Sequence, residues 1–426
     1  MIAVIFHRLG PYHFARLRAA GRSLSVVAIE TSGTDETYAW DVIAGADGFE
    51  RVTLFAHADA QKQPAREVAR RMVAALDNIR PAVVVVPGWA DAAALAALQW
   101  CGRHRVPAVI MSESTAWDEP RRAWREVVKQ QVVSLAAAGL VGGTPHQEYI
   151  IQLGLPAERV FLGYDVVDNE YFAQRAAQIR NQPPETRKKQ GLPGKYFLAS
   201  ARFIEKKNLR WLIEAYACYR ELASKSEIGN RKSEIWNLVL LGDGELRGSL
   251  DQQLSTLNLQ PFVQLPGFKQ YSDLPEFYAP AGAFIHASTA EPWGLVVNEA
   301  MACSLPVLVS NRCGCARDLV QEGVNGFTFD PFNVEELANL MLRISAFREG
   351  HVTPGAPCSA SDPTTSNQQP AATLSQMGAD SARLIASWGP DRFAAGLNAA
   401  VDKALEMGPV KASLVQRAIL QMLLKR

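Results

Sequence analysis

The sequence predicts an α/β protein built as two successive doubly wound domains that face each other across a cleft. Three observations carry this. Short runs of Val, Ile and Leu alternate with longer Ala- and Leu-rich stretches of helical spacing; continuous apolar strands imply a parallel sheet covered on both faces. The alternation breaks once, at NQPPETRKKQGLPGK over residues 181–195, and then restarts; a polar, Pro-rich stretch of this kind reads as a linker. The 426 residues suffice for two or three domains at ~100–200 residues each.

The strand-like runs of the first half are residues 2–6, 24–29, 82–86, 108–111, 139–141 and 160–162, with helical patterns between them such as 60–79 and 90–101. The opening MIAVIFHRLG is too short in its apolar run, and lacks the basic lead, for a signal peptide, so it reads as a first buried strand. The second half offers strands at residues 196–200, 238–241, 262–265, 283–286 and 306–310. The expected organisation is a first Rossmann-like domain over 1–178, a linker over 179–195, a second Rossmann-like domain over 196–386 and terminal helices over 387–426. Residues 351–376, rich in Ser, Thr, Pro, Gly, Ala and Gln, read as a low-complexity surface insertion. Ligands of such sheets bind beyond the carboxyl ends of the strands, which places the site between the domains.

Composition narrows the function. Lys plus Arg number 44 and Asp plus Glu 43, a net charge of +1; nucleic-acid binders usually carry a basic excess, so none is expected as a partner. An apolar fraction of 48% excludes a mostly disordered chain. No apolar run approaches the ~20 residues that span a bilayer. The six cysteines, Cys101, Cys218, Cys303, Cys313, Cys315 and Cys358, are scattered too thinly for a disulfide scaffold, and reduced thiols in a cytosolic protein are the expectation.

Four strand ends carry chemistry. In STAEPWGLVVNEAMA, residues 288–302, a strand gives way to Pro292-Trp293-Gly294 and a helical pattern opens at Leu295. Unpaired N–H groups at such a helix start suit phosphate. Glu291 and Glu299 flank it, and a carboxylate accepts two hydrogen bonds from a sugar diol. The ordinary reading, a capping acid and a solvated helix acid, stands beside this one. In SARFIEKKN, residues 200–208, Arg202 and Lys207 suit a pyrophosphate leaving group, or form a solvated basic loop. Gly242-Asp243-Gly244 and Pro266-Gly267-Phe268 follow two further strands as tight turns or close backbone approaches.

In combination and in this order, these elements over residues 196–345 resemble the donor-binding domain of the retaining group 1 glycosyltransferases, with a Glu-x7-Glu element from Glu291 to Glu299. The resemblance implies two facing Rossmann-like domains of the GT-B type, the second binding a nucleoside-diphosphate sugar and the first the acceptor. Ser304 stands where the family usually has Gly; residues 168–172 resemble the segment before its linker, and WGPDRFAAGL, residues 388–397, its closing helix, which crosses back to the first domain. The implied roles are Glu299 on the ribose, Glu291 beside the reacting carbon and Arg202 with Lys207 on the diphosphate. The N–H groups of Gly294 and Leu295 take the distal phosphate, Gly267 and Phe268 lie beside the base, and Gly242 adds to the donor site. No cofactor and no metal are implied, the nucleotide sugar being a co-substrate. In the first domain the family's Gly-rich loop is reduced to Gly10, and its His near the donor sugar is absent. Glu113 or His13 would supply the acceptor side, each equally readable as a structural residue.

The resulting reading is a metal-independent retaining transferase acting on a hydroxyl acceptor, saccharide or lipid-linked, in polysaccharide or glycolipid synthesis. A nucleotide-sugar epimerase and a non-catalytic nucleotide-sugar-binding protein are the alternatives. RRAWREVVK, residues 121–129, and the basic, Leu-rich segment 410–426 raise peripheral contact with a membrane; helices packing on the protein are the ordinary alternative.

Overall fold

The computed structural model describes residues 1–34, 43, 45–182, 191–225, 235–347 and 373–425. Two parallel sheets organise the chain. The first contains β1 (Ile2–Phe6), β2 (Val26–Ser32), β3 (Glu50–Phe55), β4 (Val83–Pro87), β5 (Ala108–Ser112), β6 (Ala138–Val141) and β7 (Val160–Leu162), in the order β3-β2-β1-β4-β5-β6-β7. The second contains β8 (Tyr196–Ser200), β9 (Asn237–Leu241), β10 (Val263–Gly267), β11 (Ala283–His286), β12 (Val307–Ser310) and β13 (Gly326–Phe329), in the order β10-β9-β8-β11-β12-β13. Every pairing is parallel. Strand order reverses between β1 and β4, and between β8 and β11. These switch points open crevices at the strand ends.

Two edge strands were not expected from sequence. In β3, ERVTLF, only Leu54 and Phe55 are buried, so the continuous apolar run that marks a central strand is missing. In β13, four residues in a Gly- and Thr-containing stretch give too short a pattern. β2 begins two residues later than expected and continues to Ser32, through a buried Glu30. That carboxylate is fully engaged: Arg51 Nε donates at 2.8 Å, Thr53 Oγ1 at 2.6 Å and the Leu9 amide at 3.1 Å. The expected helix over 60–79 is split by Pro64 into a short 3-10 turn, Ala60–Lys62, and the helix Ala65–Ile79.

The helix Asn169–Arg180, placed in the first domain by the sequence division at 178, packs on the second sheet. Its Phe172, Ala176 and Ile179 share a core with Tyr196 and Leu198 of β8 and with Val239 and Leu241 of β9. The chain returns at its other end. The helix Pro390–Met407 buries Phe393, Leu397 and Val401 against Ile2, Val4, Val83 and Val109 of the first domain. At about 1.5–3 kcal/mol per fully buried large apolar side chain, an upper estimate, these three alone hold the helix with several kcal/mol. Gly396 makes this seating possible, since a Cβ there would lie 2.2 Å from the Leu162 carbonyl oxygen. Residues 183–190 of the proposed linker, and 351–372 of the low-complexity insertion, lie outside the described residues; the first residues of the linker close the helix Asn169–Arg180, and the last residues of the insertion cap and open the helix Leu374–Ile385, with Thr373 as N-cap.

Candidate active site

A cavity of about 610 Å³ lies between the domains at the two switch points. Tyr12 and Glu113 line it from the first domain. The second supplies Arg202, Lys207, Gly242, Phe268, Glu291, Gly294, Leu295 and Glu299, among others. Most of the residues singled out in the sequence therefore meet in one place.

The site is built from strand ends. β8 closes at Ser200 and hands the chain to Arg202 and the 3-10 turn Glu205–Lys207. Asn208 follows with φ +60, and its Nδ2 donates to the Pro331 carbonyl at 2.7 Å. This pins the turn, so that Lys207 reaches the loop after β11. There Glu291 Oε2 accepts from Lys207 Nζ and from Ser288 Oγ at 3.1 Å, with His286 Nε2 at 3.3 Å. Burial alone pushes the Glu291 carboxyl up; hydrogen bonding to His286 and the charge of Lys207 outweigh it and hold the group well below the usual carboxylate range. Burial lowers His286, so its neutral ring is the natural Nε2–H donor to Glu291. The result is a fixed, ionised carboxylate with an ammonium beside it.

Gly294 caps the helix Leu295–Ala302 at φ +105. A side chain would be strained there, and its Cβ would press within 3.3 Å of His286 Nε2. Gly294, Leu295 and Val296 of this first turn line the cavity with Lys207 and Arg202, and a helix N-terminus beside two cations is a corner suited to an anion. Gly242 has φ +126, and a Cβ there would fall 1.8 Å from the Ala201 carbonyl oxygen; no other residue lets the β9 loop lie this close to the β8 loop.

Glu299 sits one turn into the helix, fully buried. Tyr12 donates to its Oε1 from the first domain, and Tyr278 donates to Oε2 at 2.7 Å. Burial pushes the carboxyl up to about 7 in spite of both hydrogen bonds. Glu113 opens onto cleft solvent but is crowded by protein. Desolvation and the nearby charge of Glu291 raise it, while Arg16 and Lys206 pull against this.

Three expected residues sit elsewhere. His13 Nδ1 accepts from the Gly10 amide at 3.2 Å and its ring packs on Phe6. Burial, aided by the charge of Arg16, lowers it to about 3. It is a neutral helix cap and does not line the cavity. Gly10 is the capped residue and is also outside the lining. Gly267 ends β10 and accepts from the Gly242 amide at 3.1 Å, leaving its neighbour Phe268 at the wall. Three participants were missed: His286, read only as a strand end, and Tyr12 and Tyr278, which carry no local signal and are recruited from distant elements. A histidine closing a buried strand ahead of an acidic loop was the available hint.

The first domain also grips the Glu291 loop. His146 Nδ1 accepts from the Gly143 amide at 3.1 Å, so Nε2–H donates to the Pro292 carbonyl at 2.8 Å. Thr144 donates twice to Asp318, at 2.9 and 2.6 Å. Among the described residues, no cluster of three or more His, Cys, Asp or Glu side chains forms a candidate metal centre, and no helix is long and apolar enough to cross a membrane.

Residues 182–349 match the family model described as glycosyl transferases group 1. Mannosylfructose-phosphate synthase of Agrobacterium fabrum is 25% identical over 230 residues, which is 52% of this chain and 48% of that protein. The chain thus spans about half or less of the length of the curated relatives it matches. Among solved structures, Anabaena HepE in complex with UDP aligns with a TM-score of 0.64 at 17% identity, over 93% of this chain and 98% of that one. Sucrose-phosphate synthase from Thermosynechococcus elongatus aligns with a TM-score of 0.68 at 16% identity, over 93% and 97%. The fold is shared across both sheets, and the architecture is of the GT-B type.

Proposed function

We propose that this chain, whose residues 182–349 carry the group 1 glycosyl transferase domain, is a retaining glycosyltransferase that moves a sugar from a nucleoside-diphosphate donor to a hydroxyl acceptor in polysaccharide or glycolipid assembly. The observation that carries the reading is the convergence of Lys207, Glu291, Glu299 and the Gly294–Leu295 helix start on one interdomain cavity. The UDP held by HepE supports a nucleotide donor of this kind.

In this reading Glu299 holds the ribose diol, displacing Tyr12, while Phe268 lies beside the base with Gly267 shaping its turn. Arg202 and Lys207 bind the diphosphate, with the Gly294 and Leu295 amides on its distal phosphate. As the bond from the anomeric carbon to the diphosphate oxygen breaks, negative charge grows on the leaving group and positive charge on the sugar ring. The cations and amides stabilise the first; the ionised Glu291 stabilises the second. The acceptor oxygen then bonds to the anomeric carbon on the face the diphosphate left. Its proton goes to a diphosphate oxygen or to Glu113, whose raised pKa suits a proton acceptor. Charge neutralisation is assigned to side chains and amides, so no metal enters a step.

A thermal-shift screen against nucleotide sugars tests the reading. A ligand at 100 times its Kd stabilises by about 2.7 kcal/mol, and the shift should vanish in Lys207→Ala and shrink in Glu299→Gln. A flat response to every nucleoside diphosphate sugar would remove the donor-site assignment.

A further inference from the structure

The first domain carries a face that the proposed chemistry does not use. The helices Ala123–Val133 and Leu414–Leu423 lie against each other, with Gln416 Nε2 donating to Ser134 Oγ at 2.8 Å. Helix 414–423 packs inward through Leu420, with Ile419 and Leu423 beside it. Its outer side is also apolar. Leu414 is 83% exposed, Val415 63% and Met422 48%, and Val415, Ala418 and Met422 follow the i, i+3, i+7 spacing of one helical stripe. The neighbouring helix exposes Trp124 and Val127 by more than half.

The exposed charged side chains on the two helices, Arg125 and Arg417, are basic. The stretch 409–426 contains no Asp or Glu, and its Lys411, Arg417 and Lys425 are exposed. Arg122 and Arg125 flank Trp124, and Arg66 and Arg103 line a surface hollow shared with Lys425. The acid of helix 123–133, Glu126, is taken up internally by Lys129 at 3.0 Å and Tyr149 at 2.7 Å. A soluble monomer gains nothing from large apolar side chains held in water. Apolar residues ringed by cations complement one surface well: an anionic bilayer, which accepts the side chains among its headgroups and attracts the charges.

We propose that the face formed by helices Ala123–Val133 and Leu414–Leu423 docks on an anionic lipid surface. Docking this way sets the cleft beside the membrane, because the segment entering helix 123–133 carries Trp117, whose indole donates to the Arg312 carbonyl at 3.4 Å across the cleft. The inference stands on the surface and not on the transfer reaction.

The test is flotation of the full chain with vesicles of phosphatidylcholine alone or mixed with phosphatidylglycerol, at low and high salt. The mixed vesicles should carry the protein, and salt should release it. The pair Val415→Asp with Met422→Asp, and separately Arg417→Glu with Lys425→Glu, should each weaken partitioning about tenfold or more. Their thermal unfolding should match the parent, since all four side chains are exposed or point outward. Absence of flotation, or flotation indifferent to lipid charge and to both pairs, would overturn the proposal. So would a concentration-dependent dimer that Met422→Asp dissolves, which assigns the face to a second copy. Transfer to a soluble acceptor should be unchanged in both pairs, so failure here leaves the reaction untouched.

Discussion

Lys207 and Glu291, 84 residues apart on different strand-end loops, form a hydrogen-bonded ion pair on the floor of the cleft, each with a side chain only 12% exposed. His286 and Ser288 hold the same carboxylate oxygen. The pair is therefore organised before any ligand arrives, which is what electrostatic stabilisation of a transition state requires.

Replacing Lys207 with Ala should lower kcat by about 10²–10³-fold, the usual effect of losing one charge-stabilising donor. The fold should survive, since Glu291 keeps two other partners; a cost of about 1–3 kcal/mol is expected from the weakened pairing. Glu291→Gln should impair turnover as severely with a smaller stability change. Steady-state kinetics beside chemical unfolding checks both, and full activity in either variant would sink the assignment.

Glu299 should make stability depend on pH. Its folded-state value of about 7 lies above its ordinary 4.5, so between these values the folded protein holds a proton that the unfolded chain has lost. This contribution is complete below about pH 4.5 and falls away as pH rises towards 7. Glu299→Gln should flatten that part of the profile relative to the parent. The difference matters more than the absolute slope, because Glu113 and Asp165 are raised in the same direction. Urea unfolding across this range decides it; parallel profiles for parent and variant would contradict the buried, proton-holding state.

Ser304 follows the helix that carries Glu299 and adopts φ +57. A left-handed conformation costs a side-chain-bearing residue roughly 1–2 kcal/mol relative to its usual backbone, a cost glycine escapes. Ser304→Gly should therefore raise stability by about 1 kcal/mol, somewhat offset by the greater freedom of glycine in the unfolded chain. Differential scanning calorimetry should show a higher Tm; a lower one would mean the hydroxyl contributes more than the strain takes.

Arg16 and Asp165 are both buried in the first domain, with Nη2 and Oδ1 3.8 Å apart and Arg16 Nε donating to the Val166 carbonyl at 3.1 Å. Burial raises the Asp165 carboxyl and the Arg16 charge pulls it back, so Arg16→Leu should leave a buried polar group without its partner and cost about 1–3 kcal/mol. Adding Asp165→Asn should recover part of that loss. A double-mutant cycle with no coupling would show that the two groups do not sense each other.

The sequence revealed the central strands because their burial on both faces writes itself as unbroken Val, Ile and Leu. β3, mostly unburied at a sheet edge, had no such constraint, and β13, though buried at three of its four residues, was too short to leave a run to read. The polar strand ends were legible for a similar reason: Arg202, Lys207 and Glu291 stand in the segments that follow buried strands, and Glu299 lies one turn into the helix that follows one of them. Tyr12 was not, because its meeting with Glu299 depends on how the two domains close, and Tyr278 was not, because its helix reaches Glu299 only through packing within the second domain. Gly10 and His13 were placed by position in the first loop, but that loop spends them on capping its own helix.

The central claim is sugar transfer with retained configuration, and time-resolved proton NMR of the full chain tests it most directly. The protein is incubated with a panel of nucleoside-diphosphate hexoses, with and without hydroxyl acceptors, and the anomeric signals are followed. The account predicts that one donor is consumed only with acceptor present, releasing nucleoside diphosphate and giving a glycoside with the donor's anomeric configuration. An inverted glycoside, a donor epimerised without acceptor, or a bound donor that no acceptor ever depletes would contradict it.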